Sequence, residues 1–378
     1  MSSEDWRAIP TKFLDKLSEL QRTFILTSVG RRFYWEFLTA HGKHTFIFGT
    51  TGGGKTQKGY WCVDWLKYLE NQIWFDTGKT NEILPLLCMD RKVRILIPSG
   101  CNLFIEERVE GKWQQIKNHP DVVRVLSPNE ALDSIATGNL HTRTKDTITI
   151  ISFRNFFSKK EMAVLWVAEF FEQLAERCRL SKMPDIFPAS IHIDESQWAM
   201  AGRRISADGE RSKASEVITE NALELRSARI RLVLYAQAYT NIPPAARENM
   251  GFNIMCKGAD VSSDENGNLS KWCKKYDNFL IPMQYKPWHG RFVFEDGGSY
   301  PVPFPWRFGL FPLKEWDRKW IKQLRVVYEG RHDIKTGEQE IQEECFPELG
   351  RFSLLAIKPE VQGMVESHFN APRGELDE

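Results

Sequence analysis

A glycine-rich loop between an apolar run and an amphipathic run constrains the fold of this chain more than any other feature. The stretch FIFGTTGGGKTQKGY, residues 46–60, holds five glycines, three threonines and two lysines. The preceding HTFIF (44–48) predicts a short apolar strand, and Trp61, Trp65 and Leu69 recur every four residues, which predicts a helix. The order is therefore strand, loop, helix.

The loop fits the pattern G-x-x-x-x-G-K-[ST], in which each residue type has a physical role. Glycines let consecutive backbone N–H groups point at phosphate oxygens, and the following helix adds the positive end of its dipole. Lys55 is expected to reach the β- and γ-phosphates, and the Thr56 hydroxyl to bind Mg²⁺. We therefore predict a nucleotide-binding loop made of Gly49, Thr50, Thr51, Gly52, Gly53, Gly54, Lys55 and Thr56.

An acidic pair follows a later apolar run, SIHIDES (190–196). The carboxyl ends of parallel strands are where ligands bind in α/β sheets, so Asp194 is predicted to hold Mg²⁺ and Glu195 to orient the attacking water. Taken alone, such a pair is equally consistent with a solvated strand end. A carboxylate directly after the metal-binding Asp favours hydrolysis over transfer, and without an N-K-x-D-like motif we expect ATP rather than GTP.

Apolar runs and helical patterns alternate along most of the chain. Strands are predicted at 44–48, 72–78, 93–98, 146–153, 190–195, 230–237, 253–257 and 291–296, and the clearest helices at 158–180 and 215–229. This alternation predicts an α/β fold with a mainly parallel central sheet and helices on both faces.

Three regions are predicted. Residues 1–43 read as an N-terminal helical segment, in which Phe13, Leu17, Leu20 and Phe24 share one helical face. Residues 44–310 form the ATPase domain, and residues 311–378 are a charged C-terminal extension, helical around PLKEWDRKWIKQL.

Composition limits the possible partners and compartment. With 51 Lys and Arg against 50 Asp and Glu the formal charge is +1, which excludes a uniformly basic coat but not a local basic channel. The seven cysteines form no C-x-x-C pair and indicate neither a disulfide framework nor a zinc site. No apolar run approaches membrane-spanning length, so we expect a cytoplasmic protein whose link to a membrane or virion goes through a partner.

The strand-like run IRLVLYAQ (230–237) ends in Gln237. A glutamine at the tip of a strand beside the carboxylates could contact the γ-phosphate or the water and report hydrolysis. Surface glutamines are common, so this run by itself favours the interpretation that Gln237 is an ordinary surface residue.

Four segments in order carry a more specific resemblance: GTTGGGKT, WFDTGKTNE, IHIDE and RSARIRLVLYAQAYTNIPPAAREN. Together, over about residues 44–258, they resemble the HerA–FtsK superfamily of ring-forming DNA-pumping ATPases. The resemblance implies a RecA-like core, ATP with Mg²⁺, and a homo-oligomeric, hexameric ring that threads double-stranded DNA. It matches Lys55 and Thr56 to the nucleotide loop, Asp194 and Glu195 to the metal and catalytic acids, and Gln237 to the sensor glutamine.

The sequence also departs from that family. Ala238 and Tyr239 stand where an Arg-Pro pair is frequent. We also expect neither an N-terminal β-barrel nor a membrane segment before the core, unlike the cellular members of that family. A compact chain of this kind resembles virus-encoded packaging ATPases or plasmid transfer ATPases, which implies a capsid or secretion-channel partner. IHIDESQWAMAGRR is also similar to the zonula-occludens-toxin-like assembly ATPases of filamentous phages.

Basic residues are candidates for two further roles. In ring ATPases a neighbour's arginine stabilises charge on the transferred phosphoryl group, and the candidates are Arg226, Arg229 and Arg247. The alternative is a helix-end arginine favoured by the dipole. Candidates for DNA-backbone contact are Arg203, Arg204, Arg211 and Lys213 in AGRRISADGERSKAS, with Arg154, Lys159 and Lys160 in SFRNFFSKK. The alternative is a solvated charged surface.

Three functions remain open from the sequence. The first is a hexameric ATP-driven translocase of double-stranded DNA, serving packaging, conjugation or segregation. The second is an assembly or extrusion ATPase of the toxin-like type. The third is an ATP-dependent switch with little turnover, against which Glu195 argues.

Overall fold

The described part of the chain covers most of the region up to residue 259. The computed structural model describes residues 8–78, 82–89, 91–117, 119–142, 147–157, 159–180, 188–200, 209–259, 290–293, 302–303 and 320–330.

A ten-stranded sheet forms the centre of the molecule. Its strands in chain order are β1 (Thr45–Phe48), β2 (Asn71–Phe75), β3 (Lys92–Pro98), β6 (Asp121–Val125), β7 (Thr147–Ile151), β8 (Ala189–Ile193), β9 (Ile230–Ala236), β10 (Phe252–Cys256), β11 (Gly290–Val293) and β12 (Val302–Pro303). Two further strands between β3 and β6, β4 (Asn102–Val109) and β5 (Lys112–Gln115), belong to a second sheet with β13 (Leu324–Glu329).

The spatial order of the large sheet is β12-β11-β10-β1-β9-β8-β2-β7-β3-β6. The strands from β10 to β6 are parallel to one another, and β11 is antiparallel to β10. The strand before the glycine loop, β1, is thus separated from the acidic strand β8 by β9 alone. This is the order of a RecA-like P-loop α/β fold, and it confirms the predicted fold class.

Helices flank the sheet and connect its strands. They are α1 (Thr11–Leu14), α2 (Glu19–Ile25), α3 (Ser28–Phe33), α4 (Lys55–Leu66), α5 (Leu84–Leu87), α6 (Pro128–Thr142), α7 (Lys160–Arg179), α8 (Gly209–Ser227) and α9 (Pro244–Glu248), with a π-helical turn at Tyr34–Leu38. Helix α7 packs along α8. On α7 the predicted apolar face is buried at Trp166, Phe170 and Leu174, which is why this long helix lies against the core.

The N-terminal segment is helical, but the run at 11–26 that carries the apolar helical spacing is divided between two helices. Ser18 accepts a hydrogen bond from the Gln21 N–H, and the Gln21 side chain accepts one from the Ser18 N–H. This capping box starts a new helix at Glu19, so the chain turns between α1 and α2. Phe13 and Phe24 are nevertheless both buried.

A buried ion pair fixes this helical segment to the amino edge of the sheet. Arg231, at the start of β9, donates to the Glu70 carboxylate through Nε at 3.1 Å and Nη2 at 2.9 Å, and neither side chain is exposed. Arg231 also donates to the Phe37 carbonyl at 2.7 Å and lies over the Phe37 ring. Burial opposes the charge on Glu70, but Arg231 together with hydrogen bonds from His41 and Ser190 outweighs it and lowers the pKa of Glu70.

Breaking this pair is expected to destabilise the protein strongly. Glu70→Gln leaves the Arg231 charge buried without its counter-ion, which costs about 3–5 kcal/mol of the free energy of unfolding. Urea unfolding of the variant and the wild type measures the difference. A matched control is Arg325→Ala, which removes the partly exposed pair between Arg325 and Glu106 and should cost about 1 kcal/mol or less. Equal stability losses in the two variants would contradict the assignment.

The small sheet was not predicted from the sequence. Its order is β13-β4-β5, both pairings are antiparallel, and a tight turn with positive φ at Glu110 and Gly111 joins β4 to β5. Within the predicted C-terminal extension, residues 324–329 are therefore a strand paired with β4. The remaining boundaries of the three predicted regions stay predictions, since much of 260–378 lies outside the described residues.

Thiols and hydrophobic helices add two findings. Cys62, Cys88, Cys178 and Cys256 are free, whereas Cys101 is disulfide-bonded, which the sequence did not predict. Within the described ranges, no helix combines the length and the apolar character needed to cross a membrane.

Candidate active site

The glycine loop joins β1 to α4 at the carboxyl edge of the sheet. Gly54 adopts a left-handed conformation, with φ of 88°, directly before α4 begins at Lys55. No side chain caps this end of α4, so its first N–H groups and the positive end of its dipole face the loop. This is the arrangement that binds phosphate groups.

The loop is closely packed against the residue that follows β10. The Lys257 carbonyl accepts hydrogen bonds from Thr50 N–H at 3.0 Å and Thr50 Oγ1 at 3.1 Å. A Cβ added to Gly53 would lie 2.8 Å from that carbonyl oxygen and 2.9 Å from the Thr50 oxygen. Since both neighbours are backbone atoms, Gly53 is needed for the loop to keep this shape.

Lys55 points back into the hollow of the loop. Its Nζ donates to the carbonyl oxygens of Gly49 and Thr50, each at 3.0 Å, and the residue is largely buried. The ammonium group is thereby held beside the N–H groups of the loop, where a phosphate oxygen would be bound.

Thr56 and Asp194 meet although they lie far apart in the sequence. The Thr56 hydroxyl donates to Asp194 Oδ2 at 2.8 Å, and the Glu195 N–H donates to Asp194 Oδ1 at 2.8 Å. Asp194 is fully buried at the end of β8. A hydroxyl and a carboxylate side by side next to a phosphate-binding loop are oxygen ligands of the kind Mg²⁺ prefers, so these residues fit the predicted metal.

Glu195 follows Asp194 in a sharp turn. Its backbone is left-handed, with φ of 44° and ψ of 48°, which costs a residue other than glycine about 1–3 kcal/mol. The turn is held from several sides: Ser196 Oγ donates to the Tyr235 carbonyl at 2.9 Å, Trp198 N–H to the Glu195 carbonyl at 2.9 Å, and Trp198 Nε1 to the Asp194 carbonyl at 3.1 Å. The Glu195 side chain is partly exposed. Contacts on several sides keep this strained backbone in place.

Gln237 lies between the loop and the acidic turn. It comes directly after β9, the strand between β1 and β8, and it is exposed. The preceding residue, Ala236, accepts a hydrogen bond from the Gly49 N–H at 3.3 Å. The structure therefore brings Gln237 to the same edge as Lys55 and Glu195.

The arginines predicted to act in trans lie elsewhere in the subunit. Arg226 is at the end of α8 and Arg229 directly precedes β9, at the amino edge of the sheet. Across the seven residues of β9 this edge is about 20 Å from the carboxyl edge. Arg247, on α9, is buried and lies over the Tyr239 ring. Tyr239 in turn packs on Phe48, the residue directly before the glycine loop. Arg226 and Arg229 therefore lie at the opposite edge of the sheet from the glycine loop of their own chain, and an action of any of the three in trans stays a prediction.

The predicted DNA-contacting loop is only partly described. Arg203 and Arg204 lie outside the described residues. Arg211 and Lys213 are in the first turns of α8, where Arg211 is half-buried and Lys213 exposed. Lys213 lies near Glu169 of α7. The pKa of Glu169 is raised, mainly by burial, and the charge of Lys213 opposes this shift. Their contact with DNA stays a prediction.

Sequence reasoning missed a polar network beside Glu195. Asp76, just after β2, is buried and accepts hydrogen bonds from Ser152 Oγ at 2.6 Å, Gly78 N–H at 2.9 Å and Tyr328 OH at 3.1 Å. Burial raises the pKa of Asp76, and these donors oppose the shift. Tyr328 belongs to β13, so the C-terminal strand contacts this edge of the sheet. Polar residues one to three positions beyond the ends of β2 and β7 were the available signal.

Arg154 is the second missed residue. It was a candidate for DNA contact, but its guanidinium donates to the Thr77 carbonyl at 2.6 Å and lies over the Trp198 ring. It is therefore next to the acidic turn.

Comparison with known proteins gives likeness at the level of structure. No protein-family model and no curated protein sequence matches the chain. Among solved structures, the chain is similar to the genome packaging NTPase B204 of Sulfolobus turreted icosahedral virus 2 in complex with AMPPCP, at 13% identity and a TM-score of 0.32, over 69% of this chain and 98% of that one. It is also similar to EccC of Thermomonospora curvata (ATPases 2 and 3), at 13% identity and a TM-score of 0.38, over 75% of this chain and 41% of that one. A third is EssC of Geobacillus thermodenitrificans (ATPases 2 and 3), at 12% identity and a TM-score of 0.34, over 88% and 46%.

Proposed function

We propose that the protein is an ATPase that uses hydrolysis to drive a motor. The observation that carries this is the contact between Thr56 and Asp194, with Glu195 directly beside it and the uncapped start of α4 below. Hydrogen-bond donors suited to phosphate, oxygen atoms suited to a metal ion and a carboxylate able to accept a proton from water thus lie at one edge of the sheet.

Each residue has a separate task in this proposal. The loop N–H groups and Lys55 bind and orient the phosphates, and Gln237 lies where it can sense whether the terminal phosphate is present. Thr56 and Asp194 hold Mg²⁺, which when bound neutralises charge on the phosphate oxygens. Glu195 orients a water molecule and accepts its proton.

We further propose that the moving partner is double-stranded DNA and that the active form is a homo-oligomeric, hexameric ring. The order of the four sequence segments that resemble the HerA–FtsK superfamily supports this, and a formal charge of +1 is compatible with a local basic channel. Arg211 and Lys213 at the start of α8 are the described candidates for contact with backbone phosphates. Capsid, virion or secretion-channel partners and a cytoplasmic location remain expectations from the sequence.

The experiment is an ATPase assay with and without double-stranded DNA, at low and high salt. We expect DNA to raise turnover severalfold and the stimulation to fall with salt, because phosphate contacts release counterions. Lys55→Ala is the control for contaminating hydrolysis, since it removes the ammonium from the loop.

The other outcomes separate the competing functions. Turnover indifferent to DNA would reject the DNA-translocase proposal in favour of an assembly or extrusion ATPase. Negligible turnover in the wild type would reject both motors and leave an ATP-dependent switch.

A further inference from the structure

Arg154 lies between two strand ends at the edge of the sheet that carries the candidate site. It follows β7 by three residues, and its Nη1 donates to the carbonyl of Thr77, two residues beyond β2, at 2.6 Å. Strand β2 is the neighbour of β8, whose end carries Asp194 and Glu195. Arg154 is therefore bonded on one side to the backbone just beyond the end of β2.

The other side of the guanidinium contacts the acidic turn itself. The guanidinium carbon is 5.1 Å from the centroid of the Trp198 ring. Trp198 is in turn bonded to the Asp194 carbonyl through Nε1 and to the Glu195 carbonyl through its N–H. Contact with this ring is therefore contact with the turn that holds Glu195 in its left-handed conformation.

The charge of Arg154, like its contact with Trp198, links it to the acidic turn. Burial lowers the pKa of Arg154, while Glu195, Asp76 and Glu82, in that order, oppose the shift, and Arg211 adds to it. An arginine keeps its proton under these conditions. A fixed positive charge thus lies within electrostatic range of the carboxylate that is proposed to receive the proton from water.

We propose that Arg154 is a positioning residue for hydrolysis: it clamps the Asp194–Trp198 turn to the end of β2 and orients the Glu195 side chain. The inference rests on the proposed ATPase function and deepens it. Lys55 and the glycine loop do not contact Arg154 in the described hydrogen bonds, so Arg154 affects the hydrolysis step and leaves nucleotide binding largely unchanged.

The test compares Arg154→Ala and Arg154→Lys with the wild type in steady-state ATP hydrolysis. For Arg154→Ala we expect kcat to fall about 10- to 100-fold while KM for ATP changes less than about threefold. The reason is that displacing a catalytic group by about 1 Å lowers the rate by a factor of about this size. Arg154→Lys keeps the charge and should recover part of kcat. Arg94→Ala is the matched control: Arg94 also donates to a backbone carbonyl, that of Ser134, but far from the acidic turn, and kcat should be unchanged.

A double-variant cycle tests whether Arg154 acts through Glu195. In single-turnover hydrolysis, adding Arg154→Ala to Glu195→Gln should produce no further loss, since the group being positioned is already removed. A multiplicative further loss would overturn the proposal, and so would a raised KM with unchanged kcat. Urea unfolding of each variant separates a loss of folding from a loss of catalysis. If Arg154→Ala fails to fold, the proposal is tested by Arg154→Lys alone, for which we expect a partial loss of kcat.

The two proposals fail in different ways. If the wild type does not hydrolyse ATP above the level of Lys55→Ala, the proposed function is wrong. If the wild type hydrolyses ATP and both Arg154 variants match it, only the role of Arg154 is wrong.

Discussion

Glu195→Gln is expected to lower ATP hydrolysis by about 10²–10⁴-fold while ATP stays bound. The amide has the size of the carboxylate but cannot take a proton from water. The contacts that hold the site remain, because the Glu195 backbone N–H still donates to Asp194 and the Thr56–Asp194 contact does not involve the Glu195 side chain. The variant should therefore trap ATP with its Mg²⁺.

Single-turnover hydrolysis and equilibrium binding of ATP measure the two halves of this prediction separately. Glu216→Gln is the matched control, since Glu216 is an exposed acid on α8, and its hydrolysis rate should equal that of the wild type. Unaltered hydrolysis in Glu195→Gln would show that another group activates the water. Loss of ATP binding would show instead that Glu195 supports the loop.

Acidification from pH 7 to pH 5 is expected to lower the free energy of unfolding by about 4 kcal/mol through two buried histidines. Burial lowers the pKa of His44 to about 4 and that of His192 to about 3. Each is ordinarily near 6.5, so below that pH the unfolded chain binds a proton at each ring that the folded chain does not. Their contribution to stability is therefore complete above pH 7 and is lost as the pH falls from about 6.5 towards 4 for His44 and towards 3 for His192.

The geometry shows why the folded rings stay neutral. His44 Nδ1 accepts the Leu232 N–H at 3.1 Å, so it carries no proton, and Nε2 donates to the Ala222 carbonyl at 2.7 Å. Protonation of Nδ1 would break the Leu232 bond and bury a charge.

His192 is held in the same way inside the sheet. Gln72 Nε2 donates to the Glu70 carbonyl, so its oxygen faces His192 and accepts from Nε2 at 3.0 Å. His192 Nδ1 then accepts from the Tyr235 hydroxyl at 2.6 Å. The Trp74 ring stacks on the imidazole and excludes water.

Calorimetry in buffers of different ionisation enthalpy measures the protons taken up on unfolding. At pH 5.5 we expect nearly two from these rings, and His192→Asn should remove about one of them. Asp76, with its raised pKa, releases protons on unfolding and opposes this uptake, so the comparison of the variant with the wild type isolates the histidine. An uptake that is the same in both would contradict the assignment.

Local sequence patterns predicted most strands of the central sheet, but they did not predict the strands of the small sheet. Strands β1, β2, β3, β7, β8, β9 and β10 lie within a few residues of their predicted bounds, because apolar runs buried on both faces are visible in the sequence. The strands β4, β5, β6, β12 and β13 were missed. Burial is mixed in β4, β6 and β13, and β5 is exposed throughout, so none of them shows a continuous apolar run. Strand β13 also pairs with a strand more than two hundred residues earlier, which no local pattern encodes.

The candidate site likewise contains residues that the sequence predicted and residues that only the structure revealed. The Gly49–Thr56 loop, the Asp194–Glu195 pair and Gln237 were predicted because each is a residue type with a specific chemistry at the end of an apolar run. Arg154 was named only as a candidate for DNA contact, and its place beside the acidic turn was not predicted, since a basic residue in a polar stretch has no local mark of its partner. Only the sheet order brings the ends of β2, β7 and β8 together, and only then do Thr77, Arg154 and Trp198 become neighbours.

The sequence by itself determined that this chain has a glycine-rich loop of the phosphate-binding pattern, an acidic strand end and an α/β core, because glycine conformations, helix dipoles and apolar periodicity act over a few residues. The tertiary structure decided that the Thr56 hydroxyl meets Asp194, that Asp76 is covered by Tyr328, and that Arg154 holds the turn of Glu195. These contacts join residues tens to hundreds of positions apart. They form because burying the strands in one order places these side chains at a common edge, where the free energy of each contact depends on the packing of the whole sheet.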